Sequence, residues 1–179
     1  MELSFVPITS NFSDMDKLNI LAKEAFPPEE YIAPDELIKM TQQDGVSFYA
    51  IYNRLIFVGF MVVMIHETMA YLFFLAIDSS QRSHGYGSHV LKEMRNLYPS
   101  FQYVVDMEMI DNEAENNSQR ISRRNFYIRN GYEPTGYFIS YFDVSYEILC
   151  YEGNFDFKIF KKLISKIQME GFTPCFWQE

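Results

Sequence analysis

Three groups of residues in this chain have types and spacing that could do chemistry. The first is Arg82-Ser83-His84-Gly85-Tyr86-Gly87-Ser88. It follows Tyr71 to Ile77, an aromatic-rich apolar run without charge, the pattern of a strand covered on both faces. It precedes a helical period in which Val90, Leu91, Met94, Leu97 and Tyr98 share a face and Pro99 is the stop. Glycines at a helix start leave the first-turn N–H groups bare at the positive end of the helix dipole, where an anion can approach. Arg82 adds a charge suited to phosphate oxygens. The chemistry implied is cradling of a pyrophosphate, although the same glycines would also serve a tight turn with no ligand. A P-loop is excluded because no Lys-Ser/Thr follows Gly87, and a dinucleotide-binding Rossmann turn wants a glycine where Val90 stands.

The second group is Arg123-Arg-Asn-Phe-Tyr127-Ile-Arg-Asn-Gly131-Tyr132, the end of a helix that Ser118 can cap and Gly131 can close. Arg120, Arg123, Arg124 and Tyr127 fall on one helical stripe. The arginines could approach phosphates or pair with the acidic loop Asp111 to Glu115, and the second is expected for Arg123 and Arg124. The third group is the carboxylate pair of Asp106-Met-Glu108, placed on one face of a strand by alternation. A carboxylate among apolar neighbours holds its proton more tightly, which suits a base; a solvated strand end is the plainer alternative. His66, His84 and His89 are weaker choices for that role.

The first two motifs resemble those of the GNAT superfamily of N-acyltransferases. Arg82-Ser-His-Gly85-Tyr-Gly87 fits the family's Arg/Gln-x-x-Gly-x-Gly/Ala signature. Phe126, Tyr127, Arg129, Gly131 and Tyr132 fit its Phe/Leu-Tyr-x-Lys/Arg-x-Gly-Phe/Tyr pattern. The resemblance covers roughly residues 46 to 151, and both motifs occur in order with one strand between them. It implies an α+β fold of GNAT type, a mixed and mostly antiparallel sheet of about seven strands with helices on both faces. It implies transfer of an acetyl group from acetyl-CoA to a primary amine of a small molecule or peptide, by direct attack. The cofactor would lie on Leu75, Ala76 and Ile77, whose backbone can pair with an extended pantetheine arm, and on Arg82, Ser83, His84, Gly85, Tyr86, Gly87 and Ser88. The family's asparagine seven residues before the tyrosine is replaced by Arg120, and Asn117 is the candidate to substitute for it. Tyr127 would protonate the leaving thiolate, or else be a half-buried packing residue; Glu108 would act as base, or ordered water would do so in its place. A non-catalytic acyl-CoA-binding or regulatory module on the same fold is the alternative.

The elements that must position these groups can be read in order. A strand at Leu3 to Ile8 leads to a helix capped by Ser13 or Asp14 and running to about Phe26; a second helix spans Pro34 to about Gln42. Val46 to Tyr52 and Leu55 to Ile65 form a hairpin turning at Asn53-Arg54, with a bulge at Gly59. After the Met69–Ile77 strand and the glycine loop come a strand at Gln102 to Met109, the helix from Ser118 and a hairpin around Asp143. An amphipathic helix at Asn154 to Glu170 and a short strand at Phe172 to Trp177 end the chain. One domain over residues 1–179 is expected, with 154–179 as an extension.

Composition bounds the partners. The net charge of −9 argues against nonspecific nucleic-acid binding, and with Glu29 and Glu30, beside Tyr31 in the acceptor loop, it favours a cationic amine, although solubility is the commoner reason for an acidic surface. The acceptor site is expected between that loop and the 137–146 hairpin. Cys150 and Cys175 have no metal-ligand spacing and form no disulfide framework, so no metal and a reducing cytoplasm are expected. The longest apolar run, Leu55 to Ile65, is too short to span a membrane, and the N-terminus lacks the basic start of a signal peptide. A homodimer is allowed for.

Overall fold

The computed structural model describes residues 2–28 and 30–179. These residues form eight strands and five helices in two compact units, one of residues 2–28, 30–65 and 72–99, the other of residues 66–71 and 100–179. The sheet is mostly antiparallel, and its eighth strand is the short C-terminal one read from the sequence at Phe172 to Trp177, here at Cys175–Gln178.

In the first unit the strands run in the order β1 (Leu3–Pro7), β2 (Val46–Asn53), β3 (Ile56–His66), β4 (Met69–Ile77), with the first three residues of β4, Tyr71 among them, belonging to the second unit. Helix α1 (Met15–Ala25) buries Leu18, Leu21 and Ala22, the apolar stripe read from its spacing. Asp14 does not cap it: its carboxylate accepts from the Tyr52 hydroxyl at 2.6 Å and pairs with Lys17 at 3.0 Å. Helix α2 (Pro34–Met40) starts on its proline, where a missing N–H costs nothing. The β2–β3 turn falls on Arg54-Leu55, one residue later than expected, because Asn53 still pairs with Ile56. The Gly59 bulge is present, with the β2–β3 register shifting between Ile51 and Tyr52. Glycine is needed there because a β-carbon would run into the Ala76 carbonyl of β4. Helix α3 (Tyr86–Leu97) buries Val90, Leu91 and Met94, while Leu97 at its last turn is exposed, against expectation.

In the second unit the order is β5 (Gln102–Glu108), β7 (Val144–Tyr151), β6 (Tyr132–Tyr141), β8 (Cys175–Gln178). Helix α4 (Asn117–Arg129) begins one residue before Ser118, so the serine is inside it rather than its cap; Gly131, at φ +86°, follows it in the left-handed conformation expected. β6 begins directly after that glycine, five residues before the expected start, and Phe142-Asp143 makes the two-residue turn to β7 with both φ positive. Helix α5 (Phe157–Ile164) is half the length read from the sequence. Asp156 starts it by accepting from the N–H groups of Lys158 and Ile159, a cap worth about 1 kcal/mol. At the other end the Ser165 hydroxyl donates back to the Lys162 carbonyl. Among the described residues no helix is long and apolar enough to cross a membrane.

Candidate active site

The first unit carries the glycine loop. After β4 the chain makes a single 3₁₀ turn, Ser79–Gln81, held by the Asp78 carboxylate accepting from the Ser80 N–H at 2.9 Å. Ser83 and Gly85, at φ +63° and +79°, then reverse the chain into α3. A serine in that region is costly, by roughly 1–2 kcal/mol, whereas glycine adopts it freely. Gly85 is the N-cap residue, and no side chain caps the helix. The first-turn N–H groups of Tyr86, Gly87 and Ser88 are therefore left without the side-chain acceptor that Ser, Asp or Asn would supply. A β-carbon at Gly85 would meet open space, and residues 82–85 are all exposed. This is the bare helix terminus expected of an anion cradle.

Two side chains behave differently from the expectation of ligand contact. Tyr86 is buried, and its hydroxyl accepts from the Asn53 amide at 2.8 Å, which ties the first turn of α3 to the end of β2. Its contribution to a cradle can come only from its backbone. Arg82 donates from Nε to the Ile77 carbonyl at 3.1 Å, with the rest of the side chain exposed. His84 Nδ1 lies 3.2 Å from the Gln81 carbonyl, and Ser88 is exposed. At the end of β4, Leu75 and Ile77 are partly open while Ala76 is buried with its carbonyl against Gly59.

The second unit carries the titratable side chains. Glu108 is buried at 2% exposure, as a base in an apolar setting would be, but it is not alone there. Arg120 and Arg123, one turn apart on α4, approach its two oxygens at 2.9 and 3.1 Å, and the Asn116 amide donates at 3.2 Å. A carboxylate shared among three donors is poorly placed to take a proton from a fourth group. Arg120 is also committed to Asn116 Oδ1 at 2.7 Å and to the Met109 carbonyl at 2.9 Å. The expected pairing of Arg123 and Arg124 with the acidic loop is not found. Arg123 goes to Glu108, and Arg124 holds Glu147 on β7 through two bonds of 2.7 and 3.1 Å. The loop instead folds on itself: the Asp111 carboxylate accepts from Glu113 N–H, and Asn117 accepts from Asp111 N–H at 3.0 Å. Asn117, the candidate cofactor contact, is thus engaged in shaping that loop.

Asp106 has other company. Tyr71 on β4 and Tyr141 on β6 donate to its two oxygens at 2.8 and 2.7 Å. Burial pushes its carboxyl up to about 6, outweighing both phenol bonds, which favour the ionised form. Some solvent contact remains. Burial, with the Asp106 charge behind it, holds the Tyr71 and Tyr141 phenols well above the usual range. Tyr141 also stacks on Tyr146 with ring centres 4.3 Å apart. Tyr127 is buried against Phe126 and Tyr132, and burial pushes its phenol up to about 12, the nearby Arg123 charge offsetting only part of the shift. The sequence pairs Asp106 with Glu108 on one strand face but does not show that tyrosines, rather than arginines, surround Asp106. The available signal was a lone charge inside the apolar strand Val104-Val105-Asp106-Met107.

Of the residues expected near an acceptor, Glu29 lies outside the described residues. Glu30 and Tyr31 both donate their N–H groups to the Pro27 carbonyl at 2.9 Å.

No protein-family model and no curated protein matches the sequence. Solved structures do match. A Bacteroides thetaiotaomicron protein assigned to the GNAT family of acetyltransferases is 23% identical, with a TM-score of 0.66 over 89% of this chain and 92% of that one. The aminoglycoside 6′-N-acetyltransferase of Enterococcus faecium is 15% identical, with a TM-score of 0.62 over 84% and 96%. A GNAT-family acetyltransferase of Elizabethkingia anophelis, solved with acetyl-CoA bound, is 12% identical, with a TM-score of 0.60 over 84% and 97%. The chain therefore has the GNAT fold.

Proposed function

We propose that this chain is an acetyl-CoA-dependent N-acetyltransferase that acts, as one domain, on a primary amine of a small molecule or peptide. The observation that carries the reading is the uncapped N-terminus of α3, opened by left-handed Gly85 directly after β4, in a chain with the fold of acetyltransferases. The N–H groups of residues 86–88 would receive the pyrophosphate, with Arg82 turning from the Ile77 carbonyl to a phosphate oxygen. The open backbone of Leu75 and Ile77 would pair with the pantetheine arm, and Ala76 would back it. Acetyl transfer then proceeds by attack of a neutral amine on the thioester carbonyl, collapse of the tetrahedral intermediate and departure of the CoA thiolate. Tyr127 would supply the proton that the thiolate needs; its phenol, held at about 12, stays protonated throughout the neutral range. The net charge of −9 favours a cationic acceptor.

A non-catalytic acyl-CoA-binding module on the same fold is the second reading, favoured by the arginine pairing that occupies Glu108. Two measurements separate the readings. Calorimetry should show acetyl-CoA binding in either case. Release of free thiol from acetyl-CoA with a panel of primary amines and short peptides should occur only for the enzyme. Absence of binding would sink both.

A further inference from the structure

With Glu108 engaged by guanidinium groups, the proton of an incoming ammonium has to go elsewhere. We propose that Asp106 is the base of the reaction, its carboxylate receiving the acceptor's proton between the Tyr71 and Tyr141 hydroxyls. This deepens the acetyltransferase reading and rests on it.

Geometry separates the two carboxylates of β5. Glu108 meets fixed cations, whereas Asp106 meets only neutral donors, the Tyr71 and Tyr141 hydroxyls and its own backbone N–H. The two carboxylate oxygens offer about four lone-pair directions, so these three donors leave one for a proton. The groups facing Asp106 are Tyr71 from β4, Tyr141 from β6, Tyr146 from β7 behind Tyr141, and Tyr127 from α4, with Arg123 beyond that phenol. Burial keeps the Tyr71, Tyr141 and Tyr127 phenols protonated, so an ammonium arriving there meets the Asp106 carboxylate as the negative charge among them. In the step itself the ammonium loses one proton to the Asp106 carboxylate. The freed lone pair attacks the acetyl carbonyl, the nitrogen of the tetrahedral intermediate gives its second proton to water, the C–S bond breaks, and the thiolate takes a proton from Tyr127. Return of the proton from Asp106 to the tyrosinate, directly or through water, restores both groups. A carboxyl near 6 is mostly ionised at pH 7 yet far more basic than an ordinary aspartate. Burial raises both groups, which strengthens Asp106 as a base and keeps Tyr127 protonated until the thiolate forms.

The test uses the full chain, acetyl-CoA and primary amines of high and low basicity, ethylamine-type and trifluoroethylamine-type members included, beside Asp106→Asn and Tyr141→Phe. The expected result has four parts. Asp106→Asn binds acetyl-CoA within a few-fold of wild type and loses at least 100-fold in kcat with basic amines. It loses far less with amines already neutral at pH 7. The wild-type inflection of kcat/KM near pH 6 is absent from the variant. Tyr141→Phe keeps the inflection but moves it. Unchanged inflection in Asp106→Asn, or equal losses with basic and weakly basic amines, overturns the assignment. If no amine of the panel reacts, the carbon-13 titration of the Asp106 carboxyl in the acetyl-CoA complex decides: a midpoint in the ordinary aspartate range overturns it, and one near 6 upholds it. Wild type that binds no acetyl-CoA brings down the acetyltransferase reading as well, which distinguishes the two failures.

Discussion

The glycine loop of the first unit and the β5 carboxylates of the second are built on opposite plans. The loop is a backbone site. Its working parts are N–H groups, left open by the left-handed Gly85 and the lack of a capping side chain, and its one buried side chain, Tyr86, serves as an anchor to Asn53. The β5 site is a side-chain site. Two carboxylates two residues apart on one strand face have contrasting surroundings because their partners come from different elements. Asp106 is reached by tyrosines from β4 and β6, and Glu108 by arginines from α4. The lesson is that a backbone site depends on few residue identities, whereas a side-chain site depends on each partner.

The comparison is broken most sharply at the loop. Gly87→Glu should place a carboxylate among the N–H groups meant for phosphate and weaken CoA binding by more than 100-fold, with the melting temperature little changed. Calorimetry with CoA beside a thermal melt reads both, and unchanged affinity would remove the loop from the site.

Next in size is Tyr127→Phe, which keeps the ring packed against Tyr132 and deletes only the hydroxyl. We expect CoA affinity within a few-fold and kcat lower by roughly 10²–10⁴-fold, the range for a lost general acid. Because the phenol is held at about 12, the wild-type rate should stay level to about pH 11 rather than fall near 10. A phenylalanine variant with wild-type kcat would mean that water protonates the thiolate.

Glu108→Gln sharpens the contrast within β5. It leaves Arg120 and Arg123 facing a neutral amide, and breaking such a buried pair should cost about 2–4 kcal/mol, read by urea unfolding. CoA affinity should not change. Loss of the kcat/KM inflection near pH 6 in this variant, with stability intact, would transfer the base role from Asp106 to Glu108.

The smallest effect concerns stability and pH. The folded-state Asp106 carboxyl, near 6, lies above its ordinary value of 3.8. Between about pH 4 and 6 the folded protein keeps a proton that the unfolded chain has lost, so this group's contribution falls as pH rises through that window. Asp106→Asn has nothing to ionise there. The stability of the variant relative to wild type should therefore grow from pH 4 to 6 and level off above. A difference independent of pH would mean that the carboxyl titrates normally.

The sequence alone settled what is local. Strand β4, the glycine loop and α3 lie within thirty residues, and their order is written in an apolar run, two glycines and a helical period; Gly131 closes α4 and Gly59 marks the bulge for equally local reasons. Some boundaries moved by a residue or more because capping and pairing are settled by contacts. Asn53 stayed in its strand to pair with Ile56, Asp14 turned to Tyr52 instead of capping, and α5 stopped at Ser165. Only the tertiary structure decided which carboxylate meets cations and which meets phenols. Alternation places Asp106 and Glu108 on one face, but Tyr71 and Tyr141 are each 35 residues from Asp106, and Arg123 is 15 from Glu108. Nothing in local spacing couples residues that far apart. Their meeting follows from strand order and from which face of α4 turns to β5, and the desolvation that lifts Asp106 exists only once those elements have packed.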